Sequence, residues 1–314
     1  MSGPGAWIAL LIVMNLFWAG SYSVMKYGLG SMDPLSLVFW RLVAAFAILA
    51  LWIAARRHDL RIGWRDGARV ALAGLLIAFS SYSTVKGVEL SNAIDASLLY
   101  VFEPVWAIAL ACIVLRERML FTTLAGLAIA LAGLARLSGF DPKSLGFAGG
   151  GVGVGNLLIV AGLLTEAFFS IILKPASARR PAAVLFAGVL FTAACALAVP
   201  MQMRQGFAVP LDGRSLFAIG YLAVICTALG YTAWVAVLGR VPLSVMEFTI
   251  FIQPVAGALI ANAALGEPID ARVGAGGALC VLGMIVAVTG HIRHAGGRAS
   301  RLAEEALAAP ADAL

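Results

Sequence analysis

The sequence predicts an all-α integral membrane protein of ten transmembrane helices, arranged as two inverted five-helix repeats around a central cavity. Three observations carry that prediction: a composition far too apolar for a soluble domain, ten apolar stretches long enough to cross a bilayer, and coincidences between the two halves at one fixed spacing. Of 314 residues, 62% are hydrophobic and 12% charged, with a mean hydropathy of +0.97. A soluble domain is about half apolar and a quarter charged. Too few charges remain to coat a water-facing surface, which excludes a soluble enzyme, a disordered chain and a nucleic-acid binder. The net charge of +6 must be read loop by loop, because Lys and Arg mark the cytoplasmic connectors of membrane proteins.

A helix needs roughly 20 apolar residues to cross the hydrocarbon core. That ruler yields Trp7–Tyr27, Pro34–Ala55, Ala68–Val88, Ala93–Leu115, Met119–Leu137, Val152–Leu173, Ala182–Met201, Ser215–Leu238, Leu243–Leu265 and Ala271–His291. Met1–Gly5 has no basic segment, so the first stretch reads as a spanning helix and not as a cleaved signal peptide. The runs are too long, and alternate too little, for barrel strands. Connectors are short, and the longest polar pieces (Arg56–Asp66, Gly139–Gly151, Gln202–Arg214 and the tail) leave no room for a soluble domain. With the N-terminus inside, the inner connectors collect Arg56, Arg57, Arg61, Arg65, Arg69, Arg116, Arg118, Lys174, Arg179, Arg180 and Arg240. Together with the tail this is roughly a two-to-one excess over the outer side, which puts both termini in the cytoplasm. Residues 293–314, rich in Ala and Glu, read as a frayed or disordered end. Gly149–Gly155 reads as a flexible linker between halves. Cys112, Cys195, Cys226 and Cys280 each stand alone in apolar runs and read as small buried hydrophobes.

The repeat emerges from spacing. Phe102-Glu103-Pro104-Val105, with Glu117 beyond it, matches Ile252-Gln253-Pro254-Val255 and Glu267 at an offset of 150, and Gly126/Gly276 and Gly133/Gly283 share that offset. Residues 1–146 form the first copy and 147–292 the second. Five is odd, so the second copy enters the membrane from the opposite side, about a two-fold axis in the membrane plane. Inverted repeats of this kind recur in secondary transporters, with the substrate site near the midplane.

Ionisable groups inside spans are costly and usually face a cavity or a partner. Arg41 can grip a substrate carboxylate bidentately, or pair with an acid or a carbonyl. Lys26 and Lys86 lie where they can snorkel, and Asp95 suits a helix N-terminus. Glu103 and Gln253 precede Pro104 and Pro254, which remove mid-helix hydrogen bonds and free the Tyr100 and Ile250 carbonyls. Such hinges, with a polar side chain beside them, are tolerated where they line a cavity or are buried in protein. Glu166 and Glu247 have no acidic mates, since Leu16 and Ser97 occupy those places. They suit proton exchange or the binding of a substrate amine. Trp18, Tyr22, Tyr82, Tyr100, Phe168, Tyr231 and Trp234 can line a pocket, while Trp7, Trp52 and Trp64 read as interfacial anchors. Glu117 and Glu267 read as local ion pairs with Arg116, Arg118 and Arg272. Gly126, Ala130, Gly133 and their mates make flat faces for close helix packing. There is no GxxxxGK[ST] and no HExxH, so no ATP-driven pump, metal site, catalytic residue or cofactor is expected, protons aside.

Ten spans, a five-helix repeat, and a Pro followed thirteen residues later by Glu at the ends of the fourth and ninth spans resemble the EamA family of the drug/metabolite transporter superfamily of bacterial membrane proteins. Asn15-Leu16-Phe17-Trp18-Ala19-Gly20 with Lys26, and Pro34 followed by Arg41, are similar to its opening pattern. The resemblance runs from Trp7 to about His291. It implies a basket of helices around a central cavity, exporting small metabolites, often amino acids, without ATP hydrolysis. One departure is Leu164-Thr165-Glu166-Ala167, which carries an acid where an aromatic or small residue is expected. The expectation is a secondary-active transporter of the inner membrane, moving amino acids or related zwitterions by alternating access, with a monomer sufficient. A flippase for a lipid-linked substrate is the second reading, and a membrane-embedded enzyme the third.

Overall fold

The computed structural model describes residues 4–91, 99, 102–117, 119–138, 150–204, 206–209, 212–265 and 270–308. Asp95, Tyr100 and Glu267 lie outside the described residues, as does the side chain of Tyr22. All regular structure among the described residues is helical. Eight helices are long and apolar enough to cross a membrane, and two shorter apolar helices, Glu103–Val114 and Phe121–Leu137, accompany them.

The first span is broken: α1 (Pro4–Trp18) and α2 (Ser21–Gly28) meet at Ala19-Gly20. The Phe17 carbonyl left at the break accepts a hydrogen bond from the Tyr221 hydroxyl at 2.7 Å. The second span, α3 (Pro34–Arg56), starts where Asp33 accepts the Leu35 and Ser36 N–H groups and Pro34 presets the first turn. It stops where Arg57 turns left-handed at φ 52°. Then follow α4 (Trp64–Leu90), α5 (Phe102–Val114), α6 (Phe121–Ser138), α7 (Gly150–Ser177) and α8 (Ala182–Arg204). The eighth span opens as α9 (Gly213–Tyr221), widens to a π-helix over Leu222–Tyr231, and closes as α10 (Thr232–Leu238). The ninth comprises α11 (Leu243–Phe248), a 3-10 turn over Thr249–Ile252, and α12 (Gln253–Leu265); α13 (Ala271–Ala308) is last.

Large apolar side chains such as Leu51, Ile113, Phe121, Phe191 and Met203 face outward, while Asn15, Ser80, Asn156, Thr227, Glu247 and Thr249 are buried. This distribution suits a lipid surround, where apolar side chains need no hiding and polar ones do. Connectors gather at two ends. At one, Asp66 at the start of α4 pairs with Arg69 at 2.8 Å and Arg179 at 2.9 Å, and Arg240 lies over the Trp7 ring. At the other, Ser31 and Ser215 meet at 3.0 Å and Arg214 lies over the Tyr27 ring.

Four readings of the sequence change. The glycine run is not a linker from Gly150 onward but the start of α7. A Cβ on Gly155 would stand 2.8 Å from the Ser91 nitrogen, so the run lets α7 and α4 approach backbone to backbone. The tail does not fray after His291, because α13 continues to Ala308 through Ala, Glu and Arg, which are strong helix formers. Pro254 lies in the first turn of α12, not in mid-helix, and the Ile250 carbonyl that it frees accepts the Gln253 N–H instead, whereas Tyr100, whose carbonyl Pro104 would free, lies outside the described residues. Among the cysteines, Cys226 and Cys280 are buried, but Cys195 is exposed and Cys112 half-buried, since an outward position in a bundle can hold any apolar residue.

Candidate functional site

The three irregular segments converge on one cavity of about 100 Å³, room for several waters. The break in the first span delivers Trp18 and Ser21 to its wall, the π-helix delivers Cys226, Thr227 and Tyr231, and the region around the 3-10 turn delivers Glu247, Ile250 and Gln253. Irregular backbone at membrane depth is tolerated where it lines a cavity or is buried in protein.

Of the residues singled out in the sequence, Trp18, Arg41, Glu103, Glu166, Tyr231, Trp234, Glu247 and Gln253 line this cavity. Two do not. Phe168 is displaced by its neighbour Phe169, which is fully buried, lines the cavity and meets Tyr231 edge-on at 6.1 Å. One residue rotates a helical side chain by about 100°, and an apolar helix gives no signal for which of the two faces in. Tyr82 is half-buried and packs against the apolar core. The sequence reading passed over Ser80, Ser81, Thr84 and Ser170, which also line the cavity. The run Ser80-Ser81-Tyr82-Ser83-Thr84 in an otherwise apolar span was the available signal.

The charged side chains crowd this one cavity. Glu166 accepts hydrogen bonds from Ser80 at 3.2 Å and from the Tyr231 hydroxyl, and Arg41 lies within electrostatic reach of both Glu166 and Tyr231. Tyr231 is held by stacking on Phe186, with centroids 5.3 Å apart and planes 6° from parallel. Trp18 meets Tyr231 at 5.3 Å and Trp234 at 5.9 Å, its indole N–H donating to the Cys226 carbonyl at 2.9 Å. Trp234 donates to Ser170 at 3.1 Å. Glu103 and Glu247 are the other two carboxyls on the cavity, each within electrostatic reach of Glu166 and of one another. Glu247 is 2% exposed, and its Oε2 has no hydrogen-bond partner. The Arg41 Nε is likewise buried without a partner.

Arg118 lies outside the described residues, and among them Glu117 forms no pair with Arg116. It reaches across the bundle to the N-terminus of α11, accepting the Leu243 N–H at 2.9 Å, the Ser244 N–H at 3.1 Å and the Ser244 hydroxyl at 2.8 Å. Lys174 stands 3.2 Å away and donates to the Val241 carbonyl at 3.0 Å. A carboxylate on free N–H groups at a helix start is a favourable arrangement, and no linear spacing reveals it.

A family model described as the EamA-like transporter family matches residues 5–139 and again residues 153–289. A Streptantibioticus cattleyicolor protein named "Probable terminal-alkyne amino-acid exporter" is 26% identical over 289 residues, covering 89% of this chain and 92% of its own. A Salmonella typhimurium protein named "Probable amino-acid metabolite efflux pump" is 26% identical over 306 residues, covering 92% and 96%. A solved crystal structure matches 93% of this chain and 99% of its own with a TM-score of 0.77 at 20% identity, a likeness of fold.

Proposed function

Because the chain belongs to the EamA-like transporter family, and so is a multi-pass membrane transporter and not an enzyme, we propose that it is a secondary-active exporter of small zwitterionic metabolites, amino acids foremost. It works by alternating access in the bacterial inner membrane with both termini cytoplasmic. The observation that carries this is the cavity itself: one guanidinium, three carboxyls, several hydroxyls and a cluster of Trp and Tyr inside a predominantly apolar bundle. Groups so costly to bury are kept where they meet a ligand or a proton. The names of the two relatives point to the same substrate class.

The reading of ten spans in two inverted copies is supported by α6 and α13. A Cβ on Gly126 would stand 2.6 Å from the Gly283 carbonyl, and one on Gly283 2.5 Å from that of Gly126. Gly133 and Gly276 approach each other equally, at 2.7 Å both ways. Between them Cys280 faces the carbonyl of Ala130, its mate at the 150-residue offset, at 3.6 Å. Mates exchanging partners about a shared midpoint is what a two-fold axis demands. A flippase would want a lateral opening with basic residues for a headgroup. The second cavity, about 480 Å³ and lined by Val255, Leu259 and Val273 among others, carries no charge on its walls.

Proteoliposomes loaded with amino acids, with and without a pH gradient, test the reading. Protein-dependent amino-acid flux, lost in Arg41→Gln protein that still folds, is expected. Movement of lipid-linked substrates alone would contradict it.

A further inference from the structure

We infer that Glu103 and Glu247, together with the side-chain oxygen of Gln253, form a binding site for a primary ammonium group, so that the transported molecule must carry one. This rests on the cavity being the substrate site, and says which end of the substrate goes where.

The polarity of Gln253 is fixed by hydrogen-bond accounting. Asn15 is fully buried. The atom it places 2.9 Å from the Leu11 carbonyl must be its amide nitrogen, because a backbone carbonyl only accepts. That nitrogen also lies 2.9 Å from the Thr249 hydroxyl. Thr249 has spent its single hydrogen on the Met246 carbonyl at 2.6 Å, so it accepts from Asn15. Both Asn15 hydrogens are then used, and its oxygen must accept from the Gln253 amide nitrogen at 2.6 Å. Gln253 lines the cavity and has the oxygen of its amide left to offer there.

Glu247 adds a carboxylate oxygen that is buried and unpartnered, and Glu103 adds a second carboxyl on the same cavity. Ser80 and Tyr231 already engage the Glu166 oxygens, and Arg41 lies within electrostatic reach of Glu166, so Glu247, whose Oε2 has no partner, is the carboxyl with an acceptor to spare. An ammonium supplies three N–H donors and a positive charge. A proton on one carboxyl gives a single O–H, which can serve the amide oxygen or the second carboxylate but not both. A hard metal cation takes six or more oxygens, more than these three side chains bring. The Arg41 guanidinium on the same cavity, its Nε without a partner, suits a carboxylate at the other end of the ligand.

The test is binding to the purified full-length protein, by calorimetry, of primary amines and amino acids spanning ethanolamine, alanine, leucine, phenethylamine and lysine. Each is paired with its N-acetyl derivative, lysine modified on both amines, so that the members of a pair differ in the ammonium. At least one free amine should bind, and at least tenfold tighter than its acetylated twin. Glu103→Gln/Glu247→Gln protein of unchanged monodispersity should lose that preference, while Glu166→Gln protein should keep it. Equal affinity within pairs, no free amine bound, a preference that survives in the double variant, or binding that follows sodium and ignores the ammonium would each overturn the site. Proteoliposome flux separates the two claims. Movement of a compound without an amine would remove the ammonium site and leave the carrier, whereas no flux of any amine, amino acid or carboxylic acid would remove the carrier.

Discussion

Asn15 spends both amide hydrogens and its oxygen inside the bundle, tying α1 to Thr249 and Gln253 of the ninth span. Interhelical hydrogen bonds in membranes are worth about 0.6–2 kcal/mol, so Asn15→Leu should lower stability in micelles by about 1–2 kcal/mol and weaken amine binding as Gln253 loses its anchor. Unchanged thermal unfolding and affinity would refute that role. Glu117 offers a pH-dependent counterpart. Burial opposes its charge, but the Lys174 ammonium, the Ser244 hydroxyl and the Ser244 and Leu243 N–H groups outweigh burial and hold its carboxyl below the usual carboxylate range. A carboxyl with its proton affinity lowered by folding stabilises fully above its unfolded value, about 4.3, and loses that contribution as pH falls through the folded value. Glu117→Gln should therefore destabilise the protein at pH 7, and the gap from the parent should close as pH falls below about 4. An equal gap at both ends would show that the charge is immaterial. The sequence displays Arg41 as a charge in apolar surroundings and Glu117 as an acid between two arginines, but not their partners. Ser244 lies on a helix more than a hundred residues away, and contacts of that range leave no trace in local pattern.

At the scale of elements, three of the spans that line the cavity depart from regular α-helix: the first at Ala19-Gly20, the eighth over its π-helix, the ninth at its 3-10 turn, while α3, α4 and α7 reach it from unbroken helix. Pro254 announced the last of these. Nothing comparable announced the π-helix, whose path is set by Trp18: the indole donates to the Cys226 carbonyl, and a Cβ on Gly230 would stand 2.8 Å from the indole nitrogen. Helix pairing was easier to read, because small residues recurring on one face leave few alternatives to close approach. Gly133→Leu should cost about 3 kcal/mol, at the upper end of overpacking, since the new side chain would meet the Gly276 carbonyl and the Cys280 backbone. Gly63→Ala, with nothing within 4 Å of the new carbon, should be near neutral. Melting temperatures of the two variants in one detergent settle the comparison, and equal melting would contradict the packing.

For the whole molecule, apolar length in the sequence foresaw a multi-span membrane protein because burial in lipid needs little else. It blurred where helices are short or broken: α6, with 18 residues, reaches about 27 Å against a core of about 30 Å. The proposed orientation rests on the basic connectors, and reporter fusions after Arg65 and after Arg301 should both signal the cytoplasm; a periplasmic signal from either would undo the proposed ten-span topology. The central claim is that this cavity opens alternately to the two sides. At the basic end, Glu117 and Lys174 hold the start of α11 and the connector before it, and an opening there must part them. The direct measurement uses Glu117→Cys/Ser244→Cys protein with the four native cysteines replaced, reconstituted and bridged by a short cleavable thiol cross-linker. Flux should stop on bridging and return on cleavage, with single-cysteine controls unaffected. Bridged protein that transports at the unbridged rate would contradict the account.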